Sequence, residues 1–392
     1  MIETALVVGA GIVGAACAEA LATAGVAVRV LERDRPGGGA TGAAMGHVLV
    51  LDDSDAQLAL SKLSRDLWDA RRAEMPAAVE RDECGTIWVA ADEEEMAAVR
   101  AKHEWLAERS VDSEILDAEA LHRHEPNLRR GLAGGLRVAG DSVVYPPCAA
   151  RWLLERAVSH GATVEETTPV RRVLDGAVEL DGGARLEADV VIVAAGLDTP
   201  KLVGLRGLVV RPKKGHLAIT ARIAGFVRHQ LIELGYLQSA HGHERVSVAF
   251  NAQPRATGQV LLGSSRQLDD DDPRVEPEIL SRMVRRGIEY LPGLAQVPVV
   301  RVWVGFRPAT DDNLPVIGPV PGRPRLWIAT GHEGVGIATS LATARLIADQ
   351  LLERGPPIDP APYAPARLSR DPGDDGDDGA GDGRDAGAAA DA

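Results

Sequence analysis

The sequence predicts an α/β protein: a Rossmann-like dinucleotide-binding domain interleaved with an α+β domain built on a mixed sheet. Three observations predict it. A short apolar run, Ala5 to Val8, stops at the pattern Gly9-x-Gly11-x-x-Gly14. Helical apolar spacing then runs to Ala24, and a second apolar run, Val26 to Leu31, ends on Glu32. Further along, β-rich runs stand on either side of a segment, Ala188 to Gly196, that reads as one more buried strand ending on small residues.

Strand, tight turn, helix and strand in that order give each glycine a task. Gly9 permits the turn, Gly11 lets backbone approach a pyrophosphate, and Gly14 lets helix pack on strand. Ile12 and Val13 open the helix, whose free N–H groups and positive dipole end face the phosphates. Glu32 lies 21 residues after Gly11, where a carboxylate accepts ribose hydroxyls, with Arg33 beside it. Glycine spacing alone does not separate FAD from NAD. The run Gly37 to Gly46, with Ala40, Thr41, Gly42 and Met45, favours FAD, because a small, polar loop there can wrap a pyrophosphate and approach a flat ring. The alternatives are an ordinary mobile loop and a βαβ unit whose glycines only serve turns.

A chain of 392 residues leads us to expect two or three domains, and 45% hydrophobic content is ample for sizeable cores. No apolar run reaches the roughly 18 residues of a membrane span, so no transmembrane segment is expected. The first strand runs straight into the glycine turn, so no secretory leader is expected either. Cys17, Cys84 and Cys148 show no metal spacing, which predicts no metal and suits a reducing, cytoplasmic setting. A net charge of −14 argues against nucleic-acid binding. Asp371 to Ala392 carries −7 of it in Asp, Gly and Ala, and residues 369–392 read as a disordered acidic tail.

Between these landmarks, Ser54 to Met75 has apolar residues at helical spacing with Ser54 or Asp55 as cap. Gly85 to Ala90 is a strand, Glu93 to Arg109 a charged amphipathic helix, and Asp117 to His124 a short helix. Gly135 to Val144 reads as a strand pair around Gly140-Asp141. Pro146 to His160 is a helix, followed by strands at 162–164, 170–174, 182–186 and 188–196. A second β-rich region begins at Val209 and includes strands near 244–250, 258–264 and 297–304, with a helix over Pro277 to Tyr290. Arg325 to Gly331 is a last strand, and a helix runs from about Ile337 to Glu353.

Two C-terminal stretches, Gly305-Phe-Arg-Pro-Ala-Thr-Asp-Asp-Asn-Leu-Pro-Val-Ile-Gly318 and Thr330-Gly-His-Glu-Gly-Val-Gly-Ile337, join the N-terminal fingerprint, the Ala40 to Gly46 loop and the Ala194-Ala195-Gly196 strand end. Together they resemble the FAD-dependent amino-acid oxidoreductases of the D-amino acid oxidase, glycine oxidase and sarcosine oxidase type, over about residues 1–368. The stretches Gly46 to Ser54 and Gln253 to Gln259 look closest to D-amino acid and D-hydroxyproline dehydrogenases. The resemblance implies FAD in a domain formed by residues 1–76, 145–208 and 305–368, and a substrate domain with a large mixed sheet from 77–144 and 209–304; the FAD is expected to be non-covalent, since no cysteine falls in a flavin-tether motif. It implies that the Val170 backbone meets adenine and that Arg307, in Gly-x-Arg-Pro, grips a substrate carboxylate. Where glycine oxidase has a second basic residue after its Gly-His pair, this chain has Gly334, so the pocket differs and glycine becomes a poorer candidate.

The expected reaction is hydride transfer from the α-carbon of a small D-amino, proline-like or N-methyl amino acid to flavin N5, giving an imine that hydrolyses to a 2-oxo acid, or a cyclic imine from a proline-like substrate. Arg307 offers a planar fork for the carboxylate. The turn Gly331, Gly334, Val335, Gly336 and the helix start at Ile337 would stabilise negative charge on reduced flavin. His332 and His47 are candidates to help or simply to pack, Tyr236 to bind the substrate, and Glu333 to attract its ammonium. The electron acceptor is oxygen, a partner redox protein or a quinone, and a homo- or hetero-oligomer is possible. The alternatives are a flavin subunit of a multi-subunit dehydrogenase and an NAD(P)-dependent oxidoreductase.

Overall fold

The computed structural model describes residues 2–51, 54–235 and 246–369. Tyr236 and residues 370–392 of the acidic tail lie outside the described residues, while Ser369, its first expected residue, ends a 3-10 turn, Pro365–Ser369. The fingerprint segment folds as β1 (Thr4–Val8), α1 (Ile12–Thr23) and β2 (Ala27–Leu31), with β1 and β2 parallel. They belong to a six-stranded sheet completed by β8 (Thr163–Glu165), β12 (Val190–Val193), β18 (Val316–Val320) and β19 (Arg323–Thr330), in the order β18-β19-β12-β1-β2-β8. Only the β18–β19 pair is antiparallel. α1 is apolar nearly all round, because it is sandwiched between α6 (Pro146–Ser159) and α9 (Gly336–Leu351). Cys17 is fully buried there, and burial pushes its thiol up to about 12, so it is a packing residue.

A second, eight-stranded sheet has the order β17-β13-β16-β15-β14-β4-β6-β5. Its strands are β4 (Thr86–Ala90), β5 (Glu114–Asp117), β6 (Gly134–Val138), β13 (Arg211–Thr220), β14 (Gln230–Glu233), β15 (Val246–Pro254), β16 (Val260–Leu268) and β17 (Val299–Ala309). β4 pairs parallel with β14 and all its other pairs are antiparallel, so this sheet is mixed, as expected. α8 (Pro277–Tyr290) packs on one of its faces, and Tyr290 stacks on Phe250 with centroids 4.3 Å apart.

Several expected elements are redrawn. The strand expected to stop at Val304 runs on through Arg307 to Ala309, so the boundary expected between residues 304 and 305 falls inside one continuous strand. Pro308 is tolerated because β17 is an edge strand and needs no N–H on its outer side. Gly135 to Val144 is not a strand pair: β7 (Ser142–Val143) pairs with β3 (His47–Val48) instead of β6. The buried Asp141 carboxylate accepts from Val50 N at 3.3 Å and ties the turn to that segment. Residues 170–187 form a three-stranded antiparallel meander, β9 (Val170–Leu174), β10 (Ala177–Leu180) and β11 (Arg185–Glu187), where two strands were expected. Ser54 does cap α3 (Asp55–Ala70), accepting from Gln57 N at 3.1 Å, and α3 packs on α9.

Candidate functional site

A cavity of about 840 Å³ runs from the carboxyl ends of β1 and β2 to the eight-stranded sheet. At the first end the wall is backbone. Gly9 has φ +103°, and a Cβ there would stand 2.6 Å from Ala194 O; one on Gly14 would stand 2.0 Å from Gly9 O. No larger residue fits either position without moving a strand. The Glu32 carboxylate is fixed at the same edge, accepting from Ala10 N at 2.7 Å and Asp34 N at 2.9 Å. The helix start differs in one respect from the expectation of free N–H groups: Ile12 N donates to Thr41 Oγ1 at 3.0 Å. Thr41 sits on the short helix α2 (Gly39–Ala43), so the loop after Glu32 is clipped onto the fingerprint turn. Val13, Arg33, Ala40, Met45, Gly46, Val170, Ala195 and Gly196 line the same cavity. Gly42 is not among its lining residues; it is exposed, its N–H bonded to Gly38 O at 3.1 Å.

The two sheets meet across the loop after α2. Trp303 Nε1 donates to Ala43 O at 3.1 Å, and Gln253 Nε2 to Met45 O at 3.0 Å. A Cβ on Gly305 would come within 2.6 Å of the Ala43 Cβ. β17 can therefore approach α2 only because residue 305 is glycine.

The far wall is made of side chains. Arg307 reaches the cavity from β17, and its guanidinium lies across β13 over Gly215, where a Cβ would be 2.8 Å from both Nη atoms. Its Nη1 donates to Ser265 O on β16 at 3.0 Å. Strand alternation sends Lys213 to this same face while Lys214 points away and is held by Glu276 at 2.6 Å and Asp270 at 3.4 Å. Arg266, Ser264, Asn251, Trp88 and Ile232 complete the lining. Gly334 abuts Arg307, its notional Cβ 3.3 Å from Cδ and Nε, and the other basic side chains lining this wall, Lys213 and Arg266, stand on β13 and β16.

Glu333 is not a spare carboxylate for an ammonium group. It pairs with Lys213 at 3.1 Å and accepts from Gly334 N at 2.7 Å. Burial opposes its charge, yet Arg266, Arg307 and Lys213 hold its carboxyl down at about 2. His332 is buried and bonds Thr343 Oγ1 on α9 at 3.0 Å; burial lowers it to about 3. His47 is lowered to about 4 by burial and by the nearby charges of Arg255 and Arg307, and its Nε2 has no partner among the described residues. Both imidazoles line the cavity and are neutral at pH 7. Gly336 and Ile337 start α9 there, after a turn through Val335 and a left-handed Gly331 with φ +76°. Sequence reading missed Lys213, Arg266 and Asn251; the two adjacent lysines of Arg211-Pro-Lys-Lys-Gly215 were the available signal, but strand parity alone does not say which one faces a site.

Among known proteins, the family described as FAD dependent oxidoreductase matches residues 4–350. A glycine oxidase from Pseudomonas aeruginosa is 31% identical over 381 residues, covering 93% of this chain and 99% of that protein. A D-amino acid dehydrogenase from Xanthobacter autotrophicus is 28% identical over 325 residues, covering 80% of this chain and 74% of that protein. The crystal structure of glycine oxidase from Geobacillus kaustophilus superposes with a TM-score of 0.83 at 27% identity, covering 93% of this chain and 98% of that one. The chain belongs to the FAD-dependent oxidoreductase family. That dependence decides for the flavin and against the nicotinamide alternative, and the glycine cradle and the Glu32 carboxylate fit such a dinucleotide.

Proposed function

We propose, from membership of that family, that the chain oxidises the carbon–nitrogen bond of a small amino or imino acid whose carboxylate is held by Arg307. One observation carries the reading: a guanidinium spread across Gly215 presents its fork to a cavity whose other end fits FAD. When bound, FAD supplies the two-electron acceptor for the hydride leaving the α-carbon. The β1–α1 turn, Glu32, Thr41 and Val170 are the residues to hold it. Arg307 pairs with the substrate carboxylate and so fixes the α-carbon in the cavity. The neutral His47 places no second cation against the amine. Water then hydrolyses an acyclic imine to the 2-oxo acid, releasing ammonia from a primary amine substrate and the corresponding primary amine from an N-substituted one. Sequence similarity to oxidases and dehydrogenases leaves oxygen and a redox partner or quinone as acceptors to be told apart.

The test is anaerobic flavin bleaching of the purified protein against D-amino acids, glycine, sarcosine and D-prolines. At least one of them should bleach it, and bleaching by none would overturn the reading. Acid precipitation should release the flavin into the supernatant, since no cysteine lines the cavity. Oxygen uptake against dye reduction with the best substrate then identifies the acceptor class.

A further inference from the structure

Behind the wall that carries Arg307 lies a polar cluster that no step of the proposed reaction uses. The β13–β16 ladder shifts register between Lys214 and Ala218. In that interval His216 N donates to a side chain, Ser265 Oγ, at 2.9 Å. Lys213, Gly215 and Leu217 line the cavity, and so do Ser264 and Arg266; alternation therefore puts His216, Ser265 and Gln267 on the opposite face of the sheet. There the His216 ring bonds Ser265 Oγ through Nδ1 at 3.0 Å, and its Nε2 meets Glu276 N, at the start of α8, at 2.9 Å. A backbone N–H can only donate, so Nε2 is the bare nitrogen. The neutral ring then carries its proton on Nδ1 and donates it to Ser265. His216 and Ser265 are buried, and burial, with the Lys214 ammonium beside it, lowers the ring's pKa against the pull of Glu276 and Asp270. The Glu276 carboxylate is itself tied to Lys214 at 2.6 Å and to Gln267 at 2.7 Å. From the cavity face, Arg307 Nη1 donates to the carbonyl of the same Ser265 at 3.0 Å.

We propose that His216 is a positioning residue for the substrate carboxylate: it holds Ser265 from behind the sheet, and the Ser265 carbonyl holds the Arg307 fork over Gly215 in front. This rests on the reading of Arg307 as the carboxylate anchor. A regular ladder fixes two strands through backbone bonds alone. Here the register shifts, and the Ser265 hydroxyl, with two donors from His216, joins β16 to β13 across the interval. A guanidinium already bonded to a carbonyl has less freedom to lose when a carboxylate pairs with it. A loosened Ser265 lets the fork swing, and a misplacement of about 1 Å costs on the order of a hundredfold. The two ring nitrogens therefore serve different ends. Nδ1–H serves Arg307 through Ser265, and Nε2 serves the start of α8.

The experiment separates those two bonds by substitution, read by calorimetric titration of the FAD-loaded full chain with propanoate, an unreactive carboxylate. His216→Asn keeps an N–H donor near the Nδ1 position, whereas His216→Gln keeps an acceptor near the Nε2 position. His216→Gln and Ser265→Ala should each weaken propanoate by about fivefold or more, with parental FAD content. His216→Asn should stay within about twofold of the parent, because the donor to Ser265 survives. A role confined to α8 predicts the reverse order for the two amides. A smaller loss in His216→Gln or in Ser265→Ala overturns the proposal, as does a loss in His216→Asn equal to that in His216→Gln. If His216→Gln fails to fold, Ser265→Ala and His216→Asn decide. Arg307→Met separates the two levels. If it binds propanoate as the parent does, the carboxylate reading falls and the proposal with it. If it loses propanoate while His216→Gln and Ser265→Ala do not, the positioning proposal alone falls.

Discussion

The two walls of the cavity are built from opposite materials. The wall at β1 and β2 is backbone: glycines whose Cβ atoms would strike a carbonyl, and a carboxylate locked by two N–H groups. The wall at β13, β16 and β17 is made of long charged side chains standing on a sheet face. A backbone wall has little freedom to vary and suits a group common to a whole family. A side-chain wall changes with one substitution and suits the part of the reaction that distinguishes one member from another. The difference predicts which variants lose the flavin and which lose only the substrate.

The largest effect should come from Arg307→Met, which removes the fork and keeps much of the stem. Flavin content should be that of the parent, while the rate of flavin reduction at sub-saturating substrate falls about a thousandfold, roughly 4 kcal/mol of transition-state binding. A rate within about tenfold of the parent in stopped flow would place the carboxylate elsewhere.

His47 joins the two walls, sitting after the α2 loop and facing Arg307's charge. Its ordinary value of 6.5 falls to about 4 in the fold. A depressed pKa means the folded state favours the neutral ring. The associated stability is present above pH 6.5 and is lost as pH falls through about 4, about 3 kcal/mol over the full window. His332, lowered to about 3, adds in the same direction. Urea midpoints measured between pH 7 and pH 4 should decline less steeply for His47→Gln; parallel curves would mean that His47 is not held neutral by the fold.

On the backbone wall, Glu32→Ala removes a charge-assisted acceptor and should weaken FAD binding by about 1.5–3 kcal/mol. Substrate selectivity of the reloaded enzyme should not change. If FAD affinity is unchanged, the ribose contact is made by another residue. The smallest effect should come from Gly215→Ala. Its methyl group would sit 2.8 Å from the Arg307 nitrogens, and a flexible guanidinium can move aside. Catalytic efficiency should fall about ten- to a hundredfold, about 1.4–2.7 kcal/mol, with FAD content intact. No loss would mean that the position of the fork over β13 is not what aims the substrate.

The dinucleotide-binding unit was legible because it is local. Gly9, Gly11, Gly14 and Glu32 sit in one β-α-β run, and the spacing that places them is the geometry of that run. Arg307 was legible as part of a contiguous motif, and the helix at Pro277 to Tyr290 through its apolar spacing and its proline. Tertiary structure decided what depends on pairing between distant segments. The clip from Ile12 to Thr41 spans 29 residues, and the β3–β7 pair joins residue 47 to residue 143. β17 continues through Pro308 because it became an edge strand, and only the assembled sheet order says so. Lys213 and Lys214 are chemically identical in the sequence. The register of β13 between β16 and β17 sends one to the cavity and the other to Glu276 and Asp270, because a strand shows alternate residues to opposite faces and only its neighbours determine which face is which.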